Sequence, residues 1–390
     1  MRLLWDPKRK AGTNMLTQEQ VHLGKFLSTL AEELDISPTK QQEAVDRYTS
    51  VSDWLSKPGS PLRLHNPELY PQGSFMLGTV TRPLSDAEEF DIDLVCRLGF
   101  RPDEVSQTGL KRMVGDRFRN HDTYEDMLEE KDRCWRLDYA NEFHMDILPA
   151  IPQEYKHDGS ILIPDKKLDE NDWHVSNPKD YGAWFRKRME VVFRRRQAIL
   201  AEAKAVHIED VPEWQVRTPL QRAIQILKRH RDIMFEDDPD DKPISIIITT
   251  LAAHAYGNEE DIYEALQNIV IGMPAYIQLK EGVSWVPNPV NSEENFADKW
   301  EHESQRETKF KSWLDSVRSN LLNAVEARGL HVLAEQMRPH FGSDAVNRTM
   351  KSMGAAAYEE RKAGNLHVDP KTGVLGSVGV QVKDHRFYGQ

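Results

Sequence analysis

The sequence predicts an α+β fold: a core of mixed sheet and helices in the first half, followed by a mainly helical second lobe. Three observations predict it. Apolar runs of strand length, FDIDLVCRL at residues 90–98 and FHMDILPAI at residues 143–151, fall before residue 152. Beyond residue 178 the apolar residues recur at helical spacing through most of the chain. Residues 152–177 between them hold prolines and aspartates with no sustained period, which marks a junction. The expected division is therefore a core with N-terminal helices over residues 1–175, a helical lobe over 176–364 and an extended tail over 365–390.

In order, the opening residues read as frayed. A first helix begins near Thr17, with Val21, Leu23, Phe26, Leu27, Leu30 and Leu34 on one stripe. Ser37-Pro38 supplies an N-cap and a favoured first position for a second helix, whose apolar stripe is Ala44, Val45, Tyr48, Val51 and Leu55. Residues 57–70, rich in proline, read as a loop feeding a Gly73-Ser74 turn. After the strand at 90–98, residues 102–118 and 124–130 read as helices. Strands at 134–139 and 143–151 are close enough to form an antiparallel hairpin. Helices are expected at 179–204, 219–235, 245–256, 261–271, 303–327 and 343–362. Residues 286–300, rich in proline and asparagine, read as an ordered loop that packs back.

Composition narrows the function. With 390 residues, 39% of them hydrophobic, the chain can fill two ordinary cores. No apolar run approaches the ~18 residues needed to span a bilayer, and the N-terminus MRLLWDPKRK lacks the apolar stretch of a secretory signal. A soluble, cytoplasmic protein with no membrane partner is expected. Two cysteines, Cys96 and Cys134, cannot build a disulfide framework or a four-cysteine zinc site. The formal net charge of -12 lacks the basic face that grips a nucleic-acid backbone. Arg186-Lys187-Arg188 and Arg194-Arg195-Arg196 form a local exception, read here as a solvated helix surface.

Chemistry concentrates between Tyr70 and Leu98. On a strand, Asp91 and Asp93 point to the same face, about 7 Å apart, while Ile92 points to the core. Adjacent carboxylates repel unless a cation lies between them, and hard Mg²⁺ prefers carboxylate and phosphate oxygens. Alone, the pair equally fits exposed strand aspartates. Gly73-Ser74, 17 residues before Asp91, opens a short helix, where a backbone free of Cβ and unpaired N–H groups suit a phosphate. A third carboxylate should come from a neighbouring strand. Asp146 is the candidate, since an aspartate among Met145, Ile147 and Leu148 needs a partner to offset its desolvation. Asp138 and Glu142 are rivals that read as solvated at the hairpin edge.

QGS at Gln72, Gly73 and Ser74, DIDL from Asp91 and MDILPA from Met145 together resemble the cGAS/DncV-like nucleotidyltransferases, the bacterial CD-NTases. That family joins a DNA polymerase β-type nucleotidyltransferase core to a helical lobe like that of oligoadenylate synthases. The segments TPLQRAIQILKRHRD, KPISIIITTLAAHA and NPVNSEENFADKW extend the likeness into the second half. The resemblance implies that Asp91, Asp93 and Asp146 are the catalytic and metal-binding carboxylates, holding two Mg²⁺ ions with Mn²⁺ as an alternative. It further implies that Gln72, Gly73 and Ser74 hold the donor triphosphate, with Lys228 and Ser245 touching phosphates from the helical lobe. From the residues themselves, Lys228 equally fits a solvated basic stretch with Arg229 and Arg231, and Ser245 a helix cap.

By the same resemblance, the reaction joins ATP- or GTP-type substrates into a cyclic di- or trinucleotide second messenger for anti-phage defence, releasing pyrophosphate. The ending VKDHRFYGQ resembles family tails that a ligase like the ubiquitin-conjugating machinery attaches to a target. Two other readings use the same fold. A template-free RNA nucleotidyltransferase would need a basic stripe that the acidic balance does not offer. A catalytically silent nucleotide-binding scaffold would not need all three aspartates.

Overall fold

A computed structural model of the chain describes residues 16–85, 89–139, 143–153, 159–166, 169, 172–370, 373 and 375–383. Two helices open it, α1 (Gln18–Glu33) and α2 (Pro38–Ser56). Thr17 and Gln20 form a reciprocal capping box at the start of α1, and Ser37 caps α2 with Pro38 in its first turn. A 3-10 turn (Pro61–His65) leads into β1 (Glu68–Pro71), α3 (Gly73–Leu77) and β2 (Phe90–Arg97). Next come α4 (Gln107–Arg119), α5 (Asp122–Met127), β3 (Leu128–Glu130), β4 (Trp135–Tyr139) and β5 (Phe143–Pro152). Two short strands, β6 (Ile161–Ile163) and β7 (His174–Ser176), complete the sheet.

The strand order is β1-β2-β5-β4-β3, with β6 pairing the end of β5 and β7 pairing β6. Among the described residues only β2 and β5 run parallel. Alternation then sorts the side chains by face. Ile92, Leu94, Cys96, Met145, Ile147, Trp135 and Leu137 are buried in one cluster with residues of α2 and α4. On the other face Val95, Leu148 and Ala150 meet Ile161 and Ile163 of β6, and the polar residues of β2, β4 and β5 lie beyond them. One side of the sheet is thus its core, and half of the other side is left for chemistry.

The second lobe contains α6 (Pro178–Lys204), α7 (Pro219–Met234), α8 (Ser245–Ala255), α9 (Ile262–Gly272), α10 (Ser304–Val325), α11 (Leu330–Phe341) and α12 (Ser343–Lys362). Two hairpins separate α9 from α10: β8 (Gln278–Lys280) with β9 (Val283–Trp285), and β10 (Pro287–Asn288) with β11 (Asn291–Asn295). Val286, Ala297 and Trp300 are buried, so this loop does pack back. No helix among the described residues is long and apolar enough to cross a membrane.

The differences within the sheet share one cause. β1, β6 and β7 fall where a loop was expected, and residues 128–130, expected to continue a helix, pair with β4 instead. Strands of three or four residues carry too little pattern to be seen; the neighbouring strand supplies their hydrogen bonds. The first helix also changes allegiance. Leu23, Phe26, Leu27 and Leu30 are buried with α7 and α9, so α1 packs into the helical lobe and not the sheet core. The tail is more than an extended appendage: β12 (His367–Val368) pairs with both β13 (Leu375–Gly376) and β14 (Val380–Gln381). The expected frayed start and the terminal HRFYGQ lie outside the described residues.

Candidate active site

Register brings the three sequence-predicted aspartates to one face. Along the parallel pair, Asp91 lies opposite His144 and Asp93 opposite Asp146. Across the hairpin, Arg136 lies opposite Asp146 and Asp138 opposite His144. The face therefore carries one row of Asp93, Asp146 and Arg136, and a second row of Asp91, His144 and Asp138.

Arg136 partly neutralises the acids. Its Nε donates to Asp146 Oδ1 at 2.7 Å and its Nη2 to Asp146 Oδ2 at 2.8 Å, while Nη2 also reaches Asp91 Oδ1 at 3.4 Å. The Asp146 hydrogen bond holds the guanidinium pKa above its ordinary value. Even so, charge remains. Burial, then Asp146 and Asp91, push the Asp93 carboxyl up to about 7, and burial raises Asp91 against the pull of Arg136. Such a site is short of positive charge.

The second row has its own cluster. His144 Nδ1 lies 3.1 Å from Glu89 Oε2 and 3.5 Å from Asp138 Oδ1. Asp138 is exposed, as expected, but is not merely solvated, because it faces this histidine. Its fellow rival Glu142 lies outside the described residues.

The Gly73-Ser74 turn stands against the aspartates. The Gln72 N–H donates to the Asp93 carbonyl at 2.8 Å, which aligns the start of α3 with β2. Gly73 then takes φ +59°, and a Cβ there would sit 2.5 Å from Asp93 Oδ2. Only glycine fits both demands. Gln72 flanks α3 as its N-cap, with no side-chain cap bond, and does not line the adjoining cavity of about 630 Å³. Gly73, Ser74, Asp91 and Asp93 do line it, and Lys228 and Ser245 line it from the helical lobe.

The helical wall is organised by α7. Gln221, Gln225 and Lys228 recur at helical spacing on its buried side and hold the chain that follows α3. Gln221 Nε2 donates to the Leu77 carbonyl at 2.9 Å, Gln225 Nε2 to Val80 at 2.8 Å, and Lys228 Nζ to the Thr79 carbonyl and Oγ1 at 3.0 and 3.2 Å. Lys228 is thus buried and bonded, contrary to the solvated alternative. Burial, then Arg231, lower its pKa to about 7. Ser245 Oγ accepts from Arg231 Nη1 at 2.8 Å. It does not cap α8, because Ile244 occupies that position.

In the arginine-rich stretch of α6, Arg186, Lys187, Arg194 and Arg195 are exposed, as expected of a solvated surface, whereas Arg188 and Arg196 are half-buried. Arg188 donates to the carbonyls of Ala253, His254 and Tyr256, and Arg196 to those of Arg217 and Glu260. These arginines tie α6 to its neighbours. Sequence reading missed Arg136, Thr79 and Arg231. For Arg136 a signal existed, since fixing the hairpin register of residues 134–151 puts an arginine across from Asp146. Thr79 had none.

The residues fit divalent cations. The donors of Asp91, Asp93 and Asp146 are hard carboxylate oxygens, and the absent Cβ of Gly73 leaves space beside Asp93 Oδ2.

Comparison with known proteins follows this geometry. Residues 22–188 match the Second Messenger Oligonucleotide or Dinucleotide Synthetase domain. The chain is 30% identical over 376 residues to a c-di-GMP synthase of Roseivirga ehrenbergii, covering 95% of this chain and 98% of the relative. It is 26% identical over 384 residues to the cyclic dinucleotide synthase CdnG of Bradyrhizobium diazoefficiens, covering 91% of each. Among solved structures, it is similar to the Bradyrhizobium diazoefficiens CD-NTase CdnG in complex with GTP, with a TM-score of 0.69 and 24% identity over 85% of this chain and 99% of that one. A GTP-bound DncV of Vibrio cholerae is more distant, with a TM-score of 0.53 and 16% identity over 86% of this chain and 82% of that one.

Proposed function

This chain belongs to the cGAS/DncV-like nucleotidyltransferases, and on that premise we propose that it joins two purine nucleoside triphosphates, GTP foremost, into a cyclic dinucleotide second messenger. The names of its relatives support the dinucleotide, and the c-di-GMP synthase supports guanine. One observation carries the chemistry: Asp93 and Asp146 lie directly opposite on parallel strands, and Asp91 and Asp93 line a cavity flanked by the Gly73-Ser74 turn.

In the proposed reaction a ribose hydroxyl of one nucleotide attacks the α-phosphorus of the other, the bond to the β-phosphate oxygen breaks, and pyrophosphate leaves. Asp91, Asp93 and Asp146 would hold two divalent cations, Mg²⁺ or Mn²⁺, which when bound neutralise charge on the triphosphate and leaving group. Asp146 accepts the hydroxyl proton. Gly73 and Ser74 bind the donor triphosphate through backbone N–H groups and the serine hydroxyl. Lys228, through Thr79, fixes the loop that closes the pocket beside them. A second round in the opposite sense closes the ring.

Incubation of the chain with GTP, ATP and Mg²⁺ tests this. Phosphatase-resistant cyclic product by mass spectrometry, absent for Asp93→Asn, is the expected result. A primer-dependent RNA extension product would favour the tailing reading. We further propose, on the family likeness, that the product signals in anti-phage defence. Loss of protection in phage-challenged cells carrying Asp93→Asn, together with the chain's operon partners, is the expected outcome. The C-terminal ligation reading is tested by recovering the chain covalently joined to a target from such cells.

A further inference from the structure

We propose that Arg136 is a built-in counter-cation, and that its guanidinium and the divalent cations are alternative partners of the same carboxylate oxygens on Asp146 and Asp91. The proposal rests on the reading of Asp91, Asp93 and Asp146 as metal-binding carboxylates.

The placement of Arg136 is dictated by the sheet. Its neighbours Trp135 and Leu137 are buried on the opposite face, so the strand fixes Arg136 on the acidic one. There it makes a two-pronged grip on Asp146 and a longer contact to Asp91. Asp146 and Arg136 are 18% and 22% exposed, so the pair is little screened by water. Three carboxylates on one face would otherwise stand without a compensating charge from the fold.

A divalent cation at Asp146 would bind oxygens that Arg136 already engages, and it repels the guanidinium as well, so each weakens the hold of the other. Arg136 is therefore a positioning residue: it acts through Asp146, fixing the orientation of that carboxylate beside Asp93 until a cation competes for it. The site then stays assembled without metal, and metal binding works against an existing partner.

The test uses the full chain and Mn²⁺ alone at pH 8, with affinity from calorimetry or electron paramagnetic resonance and melting temperature with and without the ion. Arg136→Met is expected to tighten Mn²⁺ binding roughly tenfold, to lower the metal-free melting temperature and to enlarge the rise caused by Mn²⁺. Arg136→Lys keeps the charge but loses the fork, and is expected to tighten binding about threefold. It keeps the test decisive if the methionine variant does not fold. Unchanged or weaker Mn²⁺ binding in the folded variants overturns the proposal, since Arg136 would then assist the ion. Mn²⁺ binding that Asp93→Asn leaves unaltered, or none in the unsubstituted chain, overturns the metal-site reading and the competition with it.

Discussion

Asp91 and Asp93 of the sheet and Lys228 of α7 line one cavity, but the two walls are built by opposite logic. On the sheet, Asp91 and Asp93 present their carboxylates to the cavity, and Asp146 lies opposite Asp93 with Arg136 as its partner. On α7, Gln221, Gln225 and Lys228 donate to backbone carbonyls of residues 77–80, so their polar atoms serve the shape of the loop. Substitution on the sheet should therefore strike turnover and spare the fold. Substitution on α7 should strike binding and stability together.

Asp93→Asn gives the largest expected effect, a loss of about 10³-fold or more in turnover. Its stability has a definite sign. A carboxyl whose folded pKa is about 7 binds its proton more tightly folded than unfolded, so its destabilising effect in metal-free protein grows from about pH 4 to pH 7. In chelator at pH 8, Asp93→Asn should melt higher than the unsubstituted chain, with the gain fading towards pH 4. A lower melting temperature at pH 8 would break the contrast, because Asp93 would then be a fold-holding residue.

Gly73→Ala comes next. The added Cβ meets Asp93 Oδ2 and the φ of +59° is strained for alanine, so about 1–3 kcal/mol of stability and roughly a hundredfold in activity should be lost. Denaturant unfolding and initial rates check both. Lys228→Ala frees Thr79, and is expected to raise the KM for GTP about tenfold while lowering the melting temperature. If kcat fell instead, with KM unchanged, Lys228 would belong with the aspartates and the contrast would fail. Ser245→Ala removes one acceptor of Arg231, which keeps its bonds to Pro243 and Asp232, so a change within about threefold in kcat/KM is expected.

The legible parts of the site were those governed by strand periodicity. Asp91 and Asp93 flank buried Ile92, and Asp146 sits between buried Met145 and Ile147, so two-residue alternation already placed each on a polar face. The less legible parts depended on partners distant in sequence. That Lys228 is buried against Thr79, 149 residues away, follows from the docking of α7 on the loop after α3 and from nothing local. α1 shows the same limit, since its apolar stripe announced a helix but not which core it would enter.

By itself, then, the sequence determined β2, β4 and β5 and most of the long helices, the acids that share a strand face, and the family. Tertiary structure alone decided that Asp146 stands across from Asp93, that Arg136 grips it, and that α7 braces the loop beside the Gly73 turn. The reason is physical: periodicity is a property of a single segment, whereas register and docking are set by the summed burial and hydrogen bonding of two segments that meet only in the folded chain.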